Sequence, residues 1–198
     1  MVFFPQKKPD RDLAGQGAPV DQATDFMAEL WDWMKSIVVA LFLILLIHQY
    51  GFHLSPVKGA SMRPTIEEGE WLFINKAAFW TREPERGDIV VIKEPEGEGS
   101  EHLYLVKRVV AIAGDEVFIR QGKLYVNGSS NEESYTDSLI EDGRFDPYIV
   151  EPGHIFVMGD NRHRNASYDS RSFGAVSLSS VEGLAECIVW PVAKWGSL

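Results

Sequence analysis

The most distinctive feature of the hydropathy pattern is an unbroken apolar run near the N-terminus. Residues 37–47 read IVVALFLILLI, and the flanking residues extend the apolar stretch to 20 positions, 33–52. At ~1.5 Å per residue, 20 residues make about 30 Å of helix, which matches the hydrocarbon core of a bilayer. Trp31, Trp33 and Tyr50 flank the run as interfacial aromatic residues do. The pattern predicts one membrane-spanning helix over residues 31–54.

The residues before and after this helix indicate whether it is a retained membrane anchor or a cleaved signal. The tail of residues 1–30 is rich in Pro, Gly and Asp, lacks periodicity, and is predicted to be a flexible cytoplasmic segment. No small-x-small cleavage site follows the run, which favours a retained signal-anchor over a cleaved secretory signal. His48 and Gln49 are costly inside hydrocarbon, so a buried core helix is the alternative.

From residue 55 to 198 the pattern changes to short runs rich in β-branched and aromatic residues, separated by Gly and Pro. These runs predict strands at residues 71–75, 88–93, 104–113, 116–120, 123–126, 154–158 and 184–190. Gln121-Gly122 joins two of them as a tight hairpin link. Residues 127–148 are polar and acidic and predict a surface excursion. The expected fold class is mainly β, an irregular barrel or sandwich carried on one transmembrane helix.

The charge and the cysteine content argue against several classes of function. The 198-residue chain holds 19 basic and 29 acidic residues, a formal net charge of -10, so it lacks the basic surface that nucleic-acid binding requires. Its one cysteine, Cys187, cannot form an intramolecular disulfide and makes a cysteine metal site implausible. We expect neither a metal nor a cofactor.

The candidate chemistry begins with Ser61, which the string VKGASMRPT places in a tight, glycine-containing segment just after the predicted membrane helix. A serine hydroxyl needs an adjacent base at neutral pH. The five histidines show no carboxylate partner at a recognisable spacing, although a triad can assemble from distant residues. Lys107 is the other option, because strand alternation aligns it with Leu105 and Val109, and apolar burial lowers the pKa of a lysine.

Four strings taken in order decide between these bases: GASMRPT, RGDIVV, YLVKRVVAIAGD and MGDNRHRNASYDSR. Together with the preceding anchor, they closely resemble the bacterial type I signal peptidase family over roughly residues 36–190. The resemblance implies that Ser61 is the nucleophile and Lys107 the general base. It implies that Ser167 orients the lysine, but His163 and Arg164 lengthen this loop, and Ser170 remains an alternative. It also implies supporting charged side chains at Arg108, Asp160, Asp169 and Arg171.

The resemblance also implies a substrate and a location. The oxyanion hole would use the Ser61 N–H, since Gly59 stands where some family members add a serine hydroxyl. Val57, Met62, Leu105 and Val106 would form apolar pockets for the small residues of a small-x-small site. Exported preproteins and the lipid bilayer are the expected partners, with the β-rich domain on the extracytoplasmic side of the cytoplasmic membrane. The alternatives are a related Ser/Lys peptidase for pilus or conjugation maturation, or an inactive membrane-anchored β-domain that binds secreted proteins.

Overall fold

The computed structural model describes residues 22–94 and 104–198, and the predicted tail lies largely outside them, at residues 1–21. A long helix, α1, occupies Gln22–Tyr50 and a short helix, α2, Ser170–Phe173. Three 3₁₀ turns lie at Ala77–Trp80, Leu178–Ser180 and Val192–Lys194. The strands of the described residues are β1 Phe52–Pro56, β2 Trp71–Asn75, β3 Ile89–Lys93, β4 Tyr104–Ile112, β5 Glu116–Arg120, β6 Lys123–Val126, β7 Ser129–Ser130, β8 Phe145–Ile149, β9 His154–Met158, β10 Val176–Ser177, β11 Val181–Trp190 and β12 Gly196–Ser197.

These strands form two antiparallel sheets, and the mainly-β prediction is confirmed. The larger sheet has the order β1-β2-β11-β3-β4-β9-β10, with β12 paired to β11. The smaller sheet has the order β7-β6-β5-β8. Strands β4 and β5 are consecutive in the chain but belong to different sheets, so the turn at residues 113–115 connects the two sheets.

Strand alternation explains how the core near the candidate serine forms. In β2, Leu72 and Ile74 point inward while their neighbours are more exposed. They pack in one cluster with Met62 and Ile66 from the segment after Ser61. A fully buried aliphatic side chain contributes roughly 1.5–3 kcal/mol relative to exposure. The segment that carries Ser61 is therefore anchored to the sheet by its own apolar residues.

Helix α1 differs in its bounds from the predicted span of residues 31–54. It begins at Gln22, because residues 22–30 contain neither Pro nor Gly to stop the helix. It ends at Tyr50 before Gly51, and Phe52–Pro56 pairs with β2 as a strand instead. Within residues 22–94 and 104–198, no helix meets the length and hydropathy required of a membrane span. The chain divides after Leu45 into two units, and the second unit, from Leu46, contains all the strands.

The other strand predictions agree with the structure to within three residues. The hairpin at Gln121-Gly122 is confirmed, with φ of 52° and 73° at the two positions, as a two-residue turn with both φ positive requires. The stretch of residues 127–148 differs from a simple surface excursion. It contains β7 and most of β8, and Ile140 is buried in the core of the smaller sheet.

Candidate active site

Ser61 lies in the connection between β1 and β2, which backbone hydrogen bonds hold as a closed loop. The Val57 N–H donates to the Glu70 carbonyl at 2.8 Å, and the Gly69 N–H donates to the Val57 carbonyl at 2.9 Å. Inside the loop, the Ile66 N–H donates to the Met62 carbonyl. Both ends of the connection and its apolar middle are fixed, so the serine has a defined position.

Lys107 approaches this loop from β4, where its side chain is buried with 2% of the residue exposed. Its Nζ lies 2.7 Å from Ser61 Oγ, within hydrogen-bond distance, and 3.1 Å from the Val106 carbonyl oxygen. The two residues are 46 positions apart in the sequence. The structure therefore brings together the predicted nucleophile and the predicted base.

Burial lowers the pKa of Lys107 from 10.5 to about 8, because the apolar surroundings disfavour the ammonium form. The charge of Asp169 acts in the opposite direction, and that of Arg171 lowers the pKa further. At pH 7 a pKa of about 8 leaves roughly one lysine in eleven neutral, against about one in three thousand at 10.5. A neutral amine beside a serine hydroxyl can accept its proton.

The predicted supporting pair Arg108 and Asp160 forms a buried ion pair next to the lysine. The Arg108 guanidinium donates from Nε to Asp160 Oδ1 at 2.9 Å and from Nη2 to Oδ2 at 2.7 Å. The Thr65 hydroxyl donates to the same carboxylate at 2.6 Å. Because Thr65 follows Ser61 by four residues, this carboxylate joins the serine loop to β4.

A second buried ion pair joins Asp169 to Arg171. The guanidinium donates to the two carboxylate oxygens at 2.8 Å each. Burial alone would raise the pKa of Asp169, but the hydrogen bonds and charge of Arg171 outweigh it and hold the pKa below its ordinary value. The carboxylate also accepts from the Gly159 N–H at 3.1 Å and from the Ser167 hydroxyl at 2.7 Å.

Ser167 is placed beside the site, although the hydrogen bonds of Lys107 Nζ go to Ser61 and Val106. A Cβ added at Gly159 would lie 2.4 Å from Ser167 Oγ and 2.3 Å from the Ser61 carbonyl oxygen, so the two serines flank this glycine. Ser170 has a different partner, since its Oγ accepts from the buried Val157 N–H at 2.9 Å. Of the two candidate serines, Ser167 is the one that lies beside Gly159, next to the segment of Ser61.

Sequence reasoning missed Asn161, which contacts the nucleophile segment directly. Its backbone N–H donates to the Ser61 carbonyl and its Nδ2 to the Ala60 carbonyl, both at 3.0 Å. The available signal was its place in the string GDNR. Because an asparagine side chain is uncharged and is not a reacting group, its residue type alone does not mark Asn161 as a site residue.

The predicted substrate residues line a cleft of about 370 Å³ that also contains Ser61 and Lys107. Val57 and Met62 contribute from the serine loop, Leu105 and Val106 from β4, and Gly59 lies at the rim with φ +86°. A smaller cavity of about 270 Å³ shares Ser55, Ile74, Val91 and Tyr104 with this cleft and extends it toward His53 and Glu182. No cluster of three or more metal-ligating side chains occurs in the described parts of the chain.

One wall of the cleft offers an open sheet edge. Strand β3 pairs with Tyr104 to Arg108 of β4, whereas β9 pairs only with Arg108 to Ile112. On the side away from β3, residues 104–107 therefore have no strand partner among the residues that the structure describes. An extended peptide can add to such an edge through main-chain hydrogen bonds.

The site holds a serine hydroxyl within hydrogen-bond distance of a buried lysine whose pKa is lowered. This pair lies beside a cleft with an open strand edge, which is the arrangement of a Ser/Lys peptidase. The family model described as "Signal peptidase, peptidase S26" matches residues 30–190, and the chain belongs to this family of serine endopeptidases. It is 35% identical to a signal peptidase I of Bacillus licheniformis, over 86% of this chain and 94% of that protein. It is 36% identical to signal peptidase I T of Bacillus subtilis strain 168, over 81% and 85%. A crystal structure of a signal peptidase I from Enterococcus faecalis V583 covers 52% of this chain and 97% of its own, with 30% identity and a TM-score of 0.42.

Proposed function

We propose that Ser61 and Lys107 are the nucleophile and the general base with which this peptidase removes N-terminal signal peptides from exported preproteins. The observation that carries the proposal is the 2.7 Å contact between Lys107 Nζ and Ser61 Oγ, with the lysine buried and its pKa lowered to about 8. Family membership supplies the reaction class. The geometry supports Ser61 and Lys107 as the residues that perform it.

The reaction follows from this pair. Neutral Lys107 accepts the Ser61 proton as Oγ attacks the scissile carbonyl, and the resulting ammonium gives that proton to the leaving amine as the C–N bond breaks. Water then attacks the acyl-enzyme ester. Lys107 accepts a proton from the water and returns it to Ser61 Oγ as the ester bond breaks, so the serine is regenerated.

The tetrahedral intermediate needs donors for its oxyanion, and the Ser61 N–H is the available backbone donor. Among the described residues this N–H donates to no other group. Gly59 contributes no side-chain donor, and a Cβ there would face open space. Since losing one oxyanion donor can cost ~10²–10³ in rate, another donor or close main-chain geometry at the site must compensate for the absent side chain.

Substrate selection rests on the cleft and its open edge. The preprotein would add as a strand beside residues 104–107, which gives affinity without sequence preference. Val57, Met62, Leu105 and Val106 would line the pockets beside the nucleophile. Under this proposal, the pockets accept small residues at the first and third positions before the cut.

The supporting residues would preserve this geometry. Asp160 joins Arg108 to the serine loop through Thr65, and Asp169 joins Arg171 to Ser167 and the Gly159 N–H. These carboxylates also act on the base, since both raise the pKa of Lys107 by their negative charge. We assign them support of the site and no proton transfer of their own.

We further propose that α1 is a signal-anchor in the cytoplasmic membrane, with the β-rich domain on the extracytoplasmic side. The support is the apolar surface of the helix from Ile37 to Leu46, where the large side chains are 39% to 64% exposed. Lipid would cover this surface at a gain of roughly 25 cal/mol per Å². The basic residues before it, Lys7, Lys8, Arg11 and Lys35, agree with a cytoplasmic N-terminus. Retention in the membrane pellet after an alkaline wash tests the anchor, and proteolysis of intact spheroplasts tests its orientation.

The decisive experiment for the function is cleavage of a purified preprotein in detergent by wild type, Ser61→Ala and Lys107→Ala. Mass spectrometry locates the cut. We expect wild type to cut after a small-x-small site and both variants to lose several orders of magnitude in rate while remaining folded. A wild type that leaves several preproteins intact, or folded variants that cut as well as wild type, would contradict the proposal.

A further inference from the structure

Arg162 is fully buried beside the active-site loop and has one carboxylate partner. Its exposed fraction is 0%, and it donates from Nη1 and Nη2 to the two oxygens of Glu133 at 2.7 and 2.6 Å. Its Nε donates to the Gly159 carbonyl at 2.8 Å. A buried guanidinium without its carboxylate is strongly unfavourable, so Glu133 controls whether Arg162 can stay where it is.

The stretch that carries Glu133 also contacts Arg108, the buried partner of Asp160. The ring of Tyr135 lies 4.1 Å from the Arg108 guanidinium carbon, at cation–π distance. The Tyr135 hydroxyl donates to Glu133 Oε1 at 2.8 Å, which connects the two contacts. This stretch lies outside the four strings that resemble the signal peptidase family.

One connection from this ion pair to the serine segment runs through Asn161. Asn161 directly precedes Arg162 and donates to the carbonyls of both Ala60 and Ser61. Arg162 therefore fixes the backbone from which Asn161 reaches the serine segment. We infer that Glu133 and Tyr135 are positioning residues that hold Asn161, and through it Ser61, in the reactive geometry.

This inference rests on the proposed function, and it predicts an effect on turnover. Glu133→Gln keeps the shape of the side chain but removes its charge, so Arg162 loses its ionic partner. Displacing reacting atoms by about 1 Å can cost on the order of 10²-fold in rate. We expect kcat to fall about 10- to 100-fold with KM within about twofold of wild type, because the cleft residues are unchanged. Glu132→Gln is the matched control, since its side chain is exposed and neighbours the same backbone.

A double-mutant cycle separates positioning from general destabilisation. Glu133→Gln, Asn161→Ala and the double variant are compared by single-turnover cleavage, well below the unfolding midpoint of the least stable protein. If Glu133 acts through Asn161, the double variant loses little more rate than the worse single variant. Rate losses that multiply would overturn the inference. So would a Glu133→Gln protein that unfolds at lower temperature yet keeps the wild-type kcat.

Tyr135→Phe keeps the inference testable if Glu133→Gln does not fold. This variant removes only the hydroxyl that donates to Glu133 and keeps the ring on Arg108. We expect a smaller fall in kcat, coupled to Asn161→Ala in the same way, and an unchanged kcat would overturn the role of Tyr135. Wild type and Ser61→Ala are included in every series. Their difference tests the proposed function itself, so its failure is distinguishable from failure of the inference.

Discussion

The buried lysine leads to a prediction about the pH dependence of cleavage. Only neutral Lys107 can accept the serine proton, so the rate follows the neutral fraction. With a pKa of about 8, this fraction is about 1% at pH 6, 50% at pH 8, 91% at pH 9 and 99% at pH 10. We expect the chemical step to accelerate about 50-fold from pH 6 to pH 8 and to change by only about 1.1-fold from pH 9 to pH 10.

The window from pH 9 to pH 10 is the most informative. A lysine with the ordinary pKa of 10.5 would give nearly an eightfold rise there, because its neutral fraction would climb from about 3% to about 24%. The assay is single-turnover cleavage of a preprotein with enzyme in excess, so that chemistry limits the rate. Ser61→Ala gives the background at each pH, and thermal unfolding verifies that the enzyme is folded throughout.

Two outcomes would refute this reasoning. A flat profile from pH 6 to pH 10 would show that Lys107 does not accept the proton in the limiting step. A rate that still climbs steeply above pH 9 would show that burial does not lower its pKa as the surroundings of β4 imply. In the second case the lysine could remain the base, but the apolar environment would not be what activates it.

Three further predictions concern the surroundings of the pair. Gly159→Ala should lower activity by on the order of 10²-fold and destabilise the fold by about 1–3 kcal/mol, because the added Cβ overlaps the Ser61 carbonyl oxygen. Gly196→Ala is the control for activity and thermal unfolding, because its added Cβ would make only an ordinary contact, at 3.8 Å from the Lys194 carbonyl oxygen. Ser170→Ala should cost about 1–3 kcal/mol in the free energy of unfolding by leaving a buried N–H without an acceptor, whereas Ser167→Ala should slow single-turnover cleavage roughly tenfold. The pKa of Asp169 is lowered in the folded state, so its carboxylate should stabilise the fold above about pH 4 and lose that contribution as the pH falls through the folded-state pKa. In Asp169→Asn, the melting temperature should therefore fall less steeply between pH 7 and pH 2 than in wild type.

Each of these predictions has a result that contradicts it. Wild-type activity in Gly159→Ala would mean that the loop relaxes around the new methyl group. Equal slowing by the two serine variants would remove the distinction between Ser167 and Ser170. An acid limb for Asp169→Asn as steep as that of wild type would mean that other carboxylates cause the acid unfolding.

Local chemistry made much of this site predictable from the sequence. A tight two-residue turn with glycine second specifies its hairpin, because few residues tolerate positive φ there. This feature depends on near neighbours in the chain, so the hairpin could be identified before any tertiary contact was known. The strand pattern made Lys107 only a candidate, since burial lowers the pKa of a lysine but most strand lysines reach water. The four family-like strings selected Lys107 over the histidines.

Other features depended on partners far apart in the chain. Glu133 and Arg162 are 29 positions apart, and an acidic stretch with little apolar periodicity gives the pattern of a solvated surface whether or not a buried arginine faces it. Asn161 and Ala60 are 101 positions apart, and only the fold determines that the amide of Asn161 meets the Ala60 carbonyl. The start of α1 was missed for a different reason, because a hydropathy window follows apolar content and residues 22–30 are helical without being strongly apolar.

The separation of Ser61 and Lys107 in the sequence has a consequence for biosynthesis. A chain that has not yet folded holds a solvated lysine with an ordinary pKa, and the serine hydroxyl has no base beside it. The neutral fraction of the amine at pH 7 rises from about one in three thousand to about one in eleven only when β4 is enclosed and the β1–β2 connection closes over it. Under the proposed function, an unfolded chain therefore lacks the catalytic pair, and cleavage requires the folded sheet.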